Sequence, residues 1–373
     1  MKFCIITHAY HKIDKDKVYS YEPYVREMNL WLQNVSHTKI VAPFSTDKPT
    51  AIDSCYFSTE ITTEEIPHVN LLNIKNKILA LLNTPYIFYK IIKTFIWADH
   101  IHLRCPGNIG LLGCIVQIFF PRKVKTVKYA GNWDPNSKQP FSYKLQKWIL
   151  SNTFLTKNCK VLVYGEWKNQ SQNIVPFFTA SYFKNEIENL KEKKLEDKIK
   201  LLFVGGLTVG KQPMLSVKSV HELINKGINV ELNVFGEGVK RIEIENYIKE
   251  HNLSTKIILH GNCKKEVIKK AFKDSHFLIF ISKSEGWPKV VAEAMFWSCL
   301  PISSRVSCIP QMLNFGKRGS VINGNMEEVT HEIIYYLKNE NVYKIKVENA
   351  KIWSQKFTLD KFSDEIKIYI LNE

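Results

Sequence analysis

The sequence predicts an α/β protein made of two doubly wound domains, each a parallel sheet with helices on both faces. Three observations lead there. A chain of 373 residues is long enough for two separate hydrophobic cores. In both halves short β-rich runs alternate with longer stretches of helical spacing, the pattern of parallel strands joined by crossover helices. The composition, 45% hydrophobic and 24% charged, is that of a folded globular chain and excludes disordered or fibrous classes.

Taken in order, the opening "MKFCIITHAY" has one charged side chain, too short an apolar run and no small-residue cleavage site, so it reads as a first strand and not a signal peptide. Further strands of the N-terminal half are expected at "TKIVAP", "HIHLR", "KVKTVKYAG" and "KVLVYG". The most apolar run, "IGLLGCIVQIFF" (109 to 120), ends at Pro121 and Arg122, too short for a membrane span and suited to a buried helix. The C-terminal half alternates more cleanly, with buried-looking strands at "IKLLFVGG", "VELNVFGEG", "KIILHG", "HFLIFIS" and "LPISS". The pattern breaks at 173 to 198, where a charged connector precedes the strand at 199. The expected domains are 1–178 and 179–355, with 356–373 a helical segment placed to pack back on the first domain.

Eight cysteines are scattered without a Cys-x-x-Cys pair, against a zinc site or a disulfide framework, and point to a reducing, cytoplasmic compartment. The formal charge is +16, and its densest cluster is "PRKVKTVK" (121 to 128). A basic face of this kind attracts phosphate, whether on nucleic acid, anionic lipid or a lipid-diphosphate carrier. The cluster reads partly as a strand and holds no recognition motif, so no nucleic acid partner is expected.

The stretch "SEGWPKVVAEAM" (284 to 295) places Glu285 and Glu293 on either side of a Gly286-Trp287-Pro288 turn. Pro288 suits the first position of a helix. The amides of Lys289, Val290 and Val291 would then project from the helix end, a setting that favours phosphate. Carboxylates flanking such a point accept hydrogen bonds from hydroxyls, so a ligand with a diphosphate between two hydroxyl-rich ends fits, and a nucleotide sugar is one. The spacing alone carries little weight, since about one such glutamate pair is expected by chance in a chain this long. Context adds to it. "LLFVGGLTVGKQP" (201 to 213) runs a strand into a glycine-rich turn that delivers Lys211, without the spacing of a dinucleotide fingerprint or of a P-loop. "FGEG" (235 to 238) and "LHGNC" (259 to 263) are further strand exits through glycine on the same sheet edge.

These pieces, in this order from 201 to 313, resemble the retaining, nucleotide-sugar-dependent glycosyltransferases of the bacterial group-1 family, with the GT-B fold of two Rossmann-like domains facing across a cleft. The resemblance implies that Glu285 contacts the donor sugar, Glu293 the ribose hydroxyls and Lys211 the diphosphate. Gly205, Gly206, Gly236, Gly261, Gly286, Trp287 and Val290 would line the donor site. Two departures stand out. The family arginine after "FVG" is Gly206 here, with Arg241 and Arg305 as possible replacements, and the glycine two places before Pro301 is Cys299.

The N-terminal half would hold the acceptor. Its candidates are Asn132, as a catalytic-site residue, and Asp134 in "KYAGNWDPN", with His8 and His11 at the first strand exit. "DKD" (14 to 16) lies among lysines and reads as a solvated loop, so no metal ion is expected. The expected activity is metal-independent transfer of a sugar, with a UDP-sugar the simplest donor and no cofactor, to a hydroxyl of a lipid-linked glycan in surface polysaccharide synthesis. The basic excess of the acceptor half would hold the protein reversibly on the inner membrane face. Rival readings are a nucleotide-sugar or nucleic-acid binding protein without turnover, and a sugar-nucleotide epimerase.

Overall fold

A computed structural model describes residues 1–371 apart from 51, 59, 71 and 72. They form two units, one made of residues 1–178 together with the chain from 362 onward, the other of residues 179–361.

The first unit contains the strands β1 (Lys2–Ile6), β2 (His11–Asp14), β3 (Lys17–Tyr21), β4 (His37–Ala42), β5 (Asp53–Cys55), β6 (Ile61–Glu65), β7 (His100–Cys105), β8 (Val124–Tyr129), β9 (Cys159–Tyr164) and β10 (Ile174–Phe177). Its helices are α1 (Glu22–Leu32), α2 (Ile74–Trp97), α3 (Asn108–Val116) and α4 (Phe141–Ser151). Seven strands make one sheet in the order β10-β9-β8-β7-β1-β4-β6, parallel throughout. Such a sheet is covered on both faces, which is why β1 and β7 read as nearly unbroken apolar or histidine-bearing runs that the fold buries. The apolar run at 109 to 120 becomes α3 and a 3-10 turn, with Ile109, Cys114 and Val116 buried.

The stretch read as a solvated loop is an exposed turn at Lys15 and Asp16. Residues 14 to 16 belong to an antiparallel ribbon of β2, β3 and β5, and Lys15 and Asp16, at φ 48° and 60°, form its tip. Both central residues take the left-handed conformation that a two-residue hairpin turn requires, although no Asn-Gly or Asp-Gly marks it in the sequence. The reading of the basic cluster as an exposed face is corrected. Lys125 and Lys128 point inward from β8: Lys125 donates to the Phe120 carbonyl at 2.7 Å, and Lys128 donates to the Phe178 carbonyl at 2.9 Å. The Lys128 ammonium also lies 4.2 Å from the Phe177 ring centre and 4.5 Å from that of Tyr164, contacts that offset part of its desolvation. Lys123 donates to the carbonyl of Ala98, and Arg122 is the cluster's exposed cation.

The second unit has β11 (Ile199–Val204), β12 (Val230–Phe235), β13 (Ile257–Gly261), β14 (Phe277–Phe280), β15 (Leu300–Ser304) and β16 (Ser320–Ile322). They pair in the order β13-β12-β11-β14-β15-β16, again all parallel. Around them lie α5 (Pro213–Asn225), α6 (Arg241–Glu250), α7 (Lys265–Asp274), α8 (Lys289–Phe296), α9 (Ile309–Met312), α10 (Met326–Lys338) and α11 (Glu340–Ser354). Leu201, Phe203, Leu232, Phe277 and Ile302 are buried in its core. Each contributes about 1.5–3 kcal/mol by leaving water. The charged connector before β11 is pinned by Lys193, whose ammonium is buried among the carbonyls of Phe272, Ser275, Trp297 and Ser298 at 2.6–3.2 Å. Burial pulls its pKa down to about 8. The last helix, α12 (Leu359–Leu371), belongs from residue 362 to the first unit, where Phe362 packs edge-on against Phe177 and Phe178.

Candidate functional site

In the second unit the chain starts at β11, moves outward to β12 and β13, then crosses to β14 on the other side. The crevice at the carboxyl ends of β11 and β14 is therefore the switch point, where doubly wound sheets bind ligands. The loops leaving these two strands carry Lys211 and Glu285. They are tied by the Lys283 amide to the Gly210 carbonyl at 2.9 Å and by a 2.5 Å ion pair between Lys211 Nζ and Glu285 Oε1. The Lys211 ammonium also stands 4.7 Å from the Phe280 ring centre. Glu285 is the more enclosed partner, with 9% of its side chain exposed against 30% for Lys211.

The glycine exits explain one another. The Gly205 amide bonds to the Phe235 carbonyl and the Gly236 amide to the Gly261 carbonyl, so the loops after β11, β12 and β13 stack backbone on backbone. Gly236 has φ 134°, and a Cβ there would stand 2.0 Å from the Gly205 carbonyl oxygen. No side chain fits at that distance. Gly206 is different: its backbone is not left-handed, and a Cβ would meet only Thr208 at 3.5 Å and the Glu237 carbonyl at 3.8 Å. A larger residue is sterically allowed where the resemblance leads one to expect arginine.

The turn before α8 is held from behind. Ser307 Oγ donates to the Gly286 carbonyl at 2.9 Å, and the Trp287 ring packs 6.3 Å from Trp353 and 5.9 Å from Phe357. The helix begins one residue later than expected, at Lys289, with Pro288 as its cap. Its first turn is also less open than expected. The Lys289 amide bonds to the Trp287 carbonyl and that of Val291 to the Pro288 carbonyl, because the chain tightens around the proline, and the Val290 amide has no backbone acceptor among the described residues. Glu293 lies on this helix and accepts a hydrogen bond from Ser181 Oγ.

The two proposed substitutes for the family arginine differ. Arg241 is committed to ion pairs with Glu237 at 2.5 Å and Glu245 at 2.7 Å. Arg305, at the exit of β15, is exposed and forms no ion pair among the described residues. At Cys299 the side chain is buried and the left-handed residue of the turn is Ser298, at φ 58°, so the position holds a side chain without strain.

In the first unit the strand order reverses between β1 and β7, whose exits carry His8 and the segment Arg104 to Asn108. This crevice was missed in the sequence, although Pro106-Gly107 between a strand and an apolar helix marks it. A Cβ on Gly107 would lie 2.8 Å from His8 Nδ1, so glycine lets the start of α3 approach the imidazole. Desolvation, then Arg104 and His68, hold the His8 pKa below its ordinary value. Arg104 is itself buried against Glu27 at 2.5 Å and over the Tyr24 ring. His11 is not part of a site: it is fully buried in β2, bonded to the Ala9 carbonyl and Tyr56 hydroxyl, and burial lowers its pKa to about 4. Asn132 lies at the exit of β8, where its Oδ1 closes a local turn by accepting from the Asp134 amide at 2.9 Å, and the Asp134 carboxylate in turn accepts from the Asn136 amide.

Residues 185–353 match the sequence profile of the family described as "Glycosyl transferases group 1". The chain is 30% identical over 195 residues to an uncharacterized glycosyltransferase of Methanocaldococcus jannaschii, covering 49% of this chain and 55% of that protein. It is 26% identical over 317 residues to the N-acetylgalactosamine-N,N'-diacetylbacillosaminyl-diphospho-undecaprenol 4-alpha-N-acetylgalactosaminyltransferase of Campylobacter jejuni, covering 80% of this chain and 83% of that one. The HepE protein of Anabaena, solved with UDP and glucose, superposes with a TM-score of 0.69 at 11% identity over 100% of both chains. The chain thus spans about half the length of the archaeal relative. Residues 185–353 are thus similar to the group 1 glycosyltransferases, and the two parallel-sheet units have the fold of the GT-B glycosyltransferases.

Proposed function

We propose that the protein is a retaining glycosyltransferase, a transferase of the hexosyl type, that moves a sugar from a nucleoside diphosphate to a hydroxyl of a lipid-linked glycan. The observation that carries the reading is the Lys211–Glu285 pair at the switch point of the second unit. A cation and a carboxylate from two different loops meet where a diphosphate and its sugar would lie. A diphosphate takes over the ammonium, and the freed carboxylate accepts from sugar hydroxyls. Lys211 and the Val290 amide then stabilise charge on the leaving diphosphate, a role in which each preorganised donor contributes roughly 3 kcal/mol. Metal-independent transfer follows from this assignment, and Arg305 is the second cation in place of Gly206. Glu293, on the same helix, is assigned to the ribose hydroxyls and exchanges its bond to Ser181 for them.

UDP is the favoured nucleotide because a protein of this fold was solved with UDP and glucose. A lipid-diphosphate acceptor is favoured by the name of the Campylobacter relative, a transferase acting on a diphospho-undecaprenol glycan. On this reading the enzyme works at the inner face of the cell membrane, with the acceptor bound in the first unit near His8 and Asn132. The test is incubation with UDP-sugars and extracted lipid-linked glycans, following UDP release and the mass of the product. Product with the donor's anomeric configuration, formed in the presence of a chelator, is expected. Conversion of a nucleotide sugar without acceptor, or an inverted product, would overturn the reading.

A further inference from the structure

Residues 121 to 128, whose lysines are partly buried, offer little surface to a membrane, whereas α2 offers much more. This helix carries two apolar faces. Ala80, Ile87, Ile91 and Phe95 are buried against the sheet. Ile74, Ile78, Leu82, Tyr89, Ile92 and Ile96, spaced by three, four or seven residues, stand on the opposite side with 40–76% of each residue exposed. One exposed leucine is ordinary, whereas a stripe of six large apolar side chains along a helix about 36 Å long is an interaction surface.

We infer that α2 is an in-plane membrane anchor that seats the protein on an anionic bilayer. Charge selects this occupant. The helix holds Lys75, Lys77, Lys90 and Lys93 and no acidic residue, with Lys75 and Lys93 exposed beside the stripe. Apolar insertion and attraction to anionic headgroups therefore act on one face. Tyr86 and Tyr89 add rings with polar tips, suited to the headgroup boundary. A second copy of this chain is disfavoured as the occupant, because the net charge of +16 opposes pairing through a basic face. The helix lies along the surface, since no helix among the described residues is long and apolar enough to cross a membrane. The proposal deepens the membrane-face reading above by naming the surface responsible.

The test uses the full chain without donor or acceptor, so its failure and the failure of the transfer reading are separate events. Sedimentation is measured with vesicles of phosphatidylcholine alone and with phosphatidylglycerol admixed. Wild type is expected to pellet with the anionic vesicles. Ile78→Gln, Leu82→Gln and Ile92→Gln combined should lower partitioning about ten-fold or more on both lipids. Lys75→Glu with Lys93→Glu should lower it by about ten-fold on anionic vesicles only. All five side chains are exposed, so both variants should melt with the wild type, and the charge variant stands as an independent test should the apolar one fail to fold. Wild type left in the supernatant with anionic vesicles would overturn the proposal. So would variants that pellet as well as wild type, or a wild-type dimer that the glutamine variant converts to monomer.

Discussion

Replacing Lys211 with methionine separates two roles of one side chain. Its ammonium is the partner of Glu285, which has only 9% of its side chain exposed. Breaking a fully buried pair by removing one partner costs about 3–5 kcal/mol, and an exposed pair contributes about 0–1 kcal/mol. With Lys211 itself 30% exposed, the expected loss lies between, at about 2 kcal/mol. For a unit of this size that lowers its melting transition by roughly 4–8 °C. The catalytic effect is separate: losing one preorganised donor to the leaving diphosphate should lower kcat about 100-fold. Scanning calorimetry and nucleotide release read the two effects. Adding Glu285→Gln to Lys211→Met removes the stranded carboxylate, so the double variant should recover part of the melting temperature and none of the activity. A Lys211→Met protein that melts and turns over as wild type would refute both the pairing energetics and the diphosphate assignment.

Other expectations follow from the same geometry. Gly236→Ala, with its Cβ driven toward the Gly205 carbonyl and φ at 134°, should destabilise the second unit by about 3 kcal/mol in urea unfolding; an unchanged midpoint would mean the three glycine loops are not packed as described. Gly206→Arg should fold normally, because its Cβ meets only ordinary contacts, and should tighten nucleotide binding by about five-fold or more by restoring a diphosphate cation. Equal affinity would show that Arg305 or another group already fills that role. The buried imidazoles of His11, His100 and His276 are each held near a pKa of about 4, with burial the main cause. The unfolded chain binds protons on these groups first as pH falls, so stability is full above about pH 6.5 and is lost toward pH 4, by up to about 1.4 kcal/mol per unit for each histidine. Urea midpoints that stay level across that window would contradict their burial in the neutral form.

Much of the second unit was legible because its strands are buried on both faces and end in glycine. "IKLLFVGG" and "HFLIFIS" announce β11 and β14 through uninterrupted apolar residues, and their exits carry the site. Less could be read where the signal lies in partners distant in sequence. β6, "ITTEE", has little apolar content because it is an edge strand, and β16 has three residues. The lysines of β8 looked like surface charge, since nothing local tells that backbone carbonyls and rings 36 or more residues away receive Lys128. The crevice at His8 and Gly107 is formed by strand exits about a hundred residues apart, so only the strand order brings them together. The tie between Ser181 and Glu293 is invisible for the same reason.

The central claim is that the switch point of the second unit binds a nucleoside diphosphate through Lys211, Glu285 and Glu293. Its most direct test is calorimetric titration of wild type and Glu293→Ala with UDP, GDP, ADP and CMP. The account predicts that one nucleotide, UDP, binds the wild type and that the variant binds it about 10–100-fold more weakly, the loss expected for hydrogen bonds to a charged acceptor. Binding of none of the four, or equal binding by the variant, would contradict it.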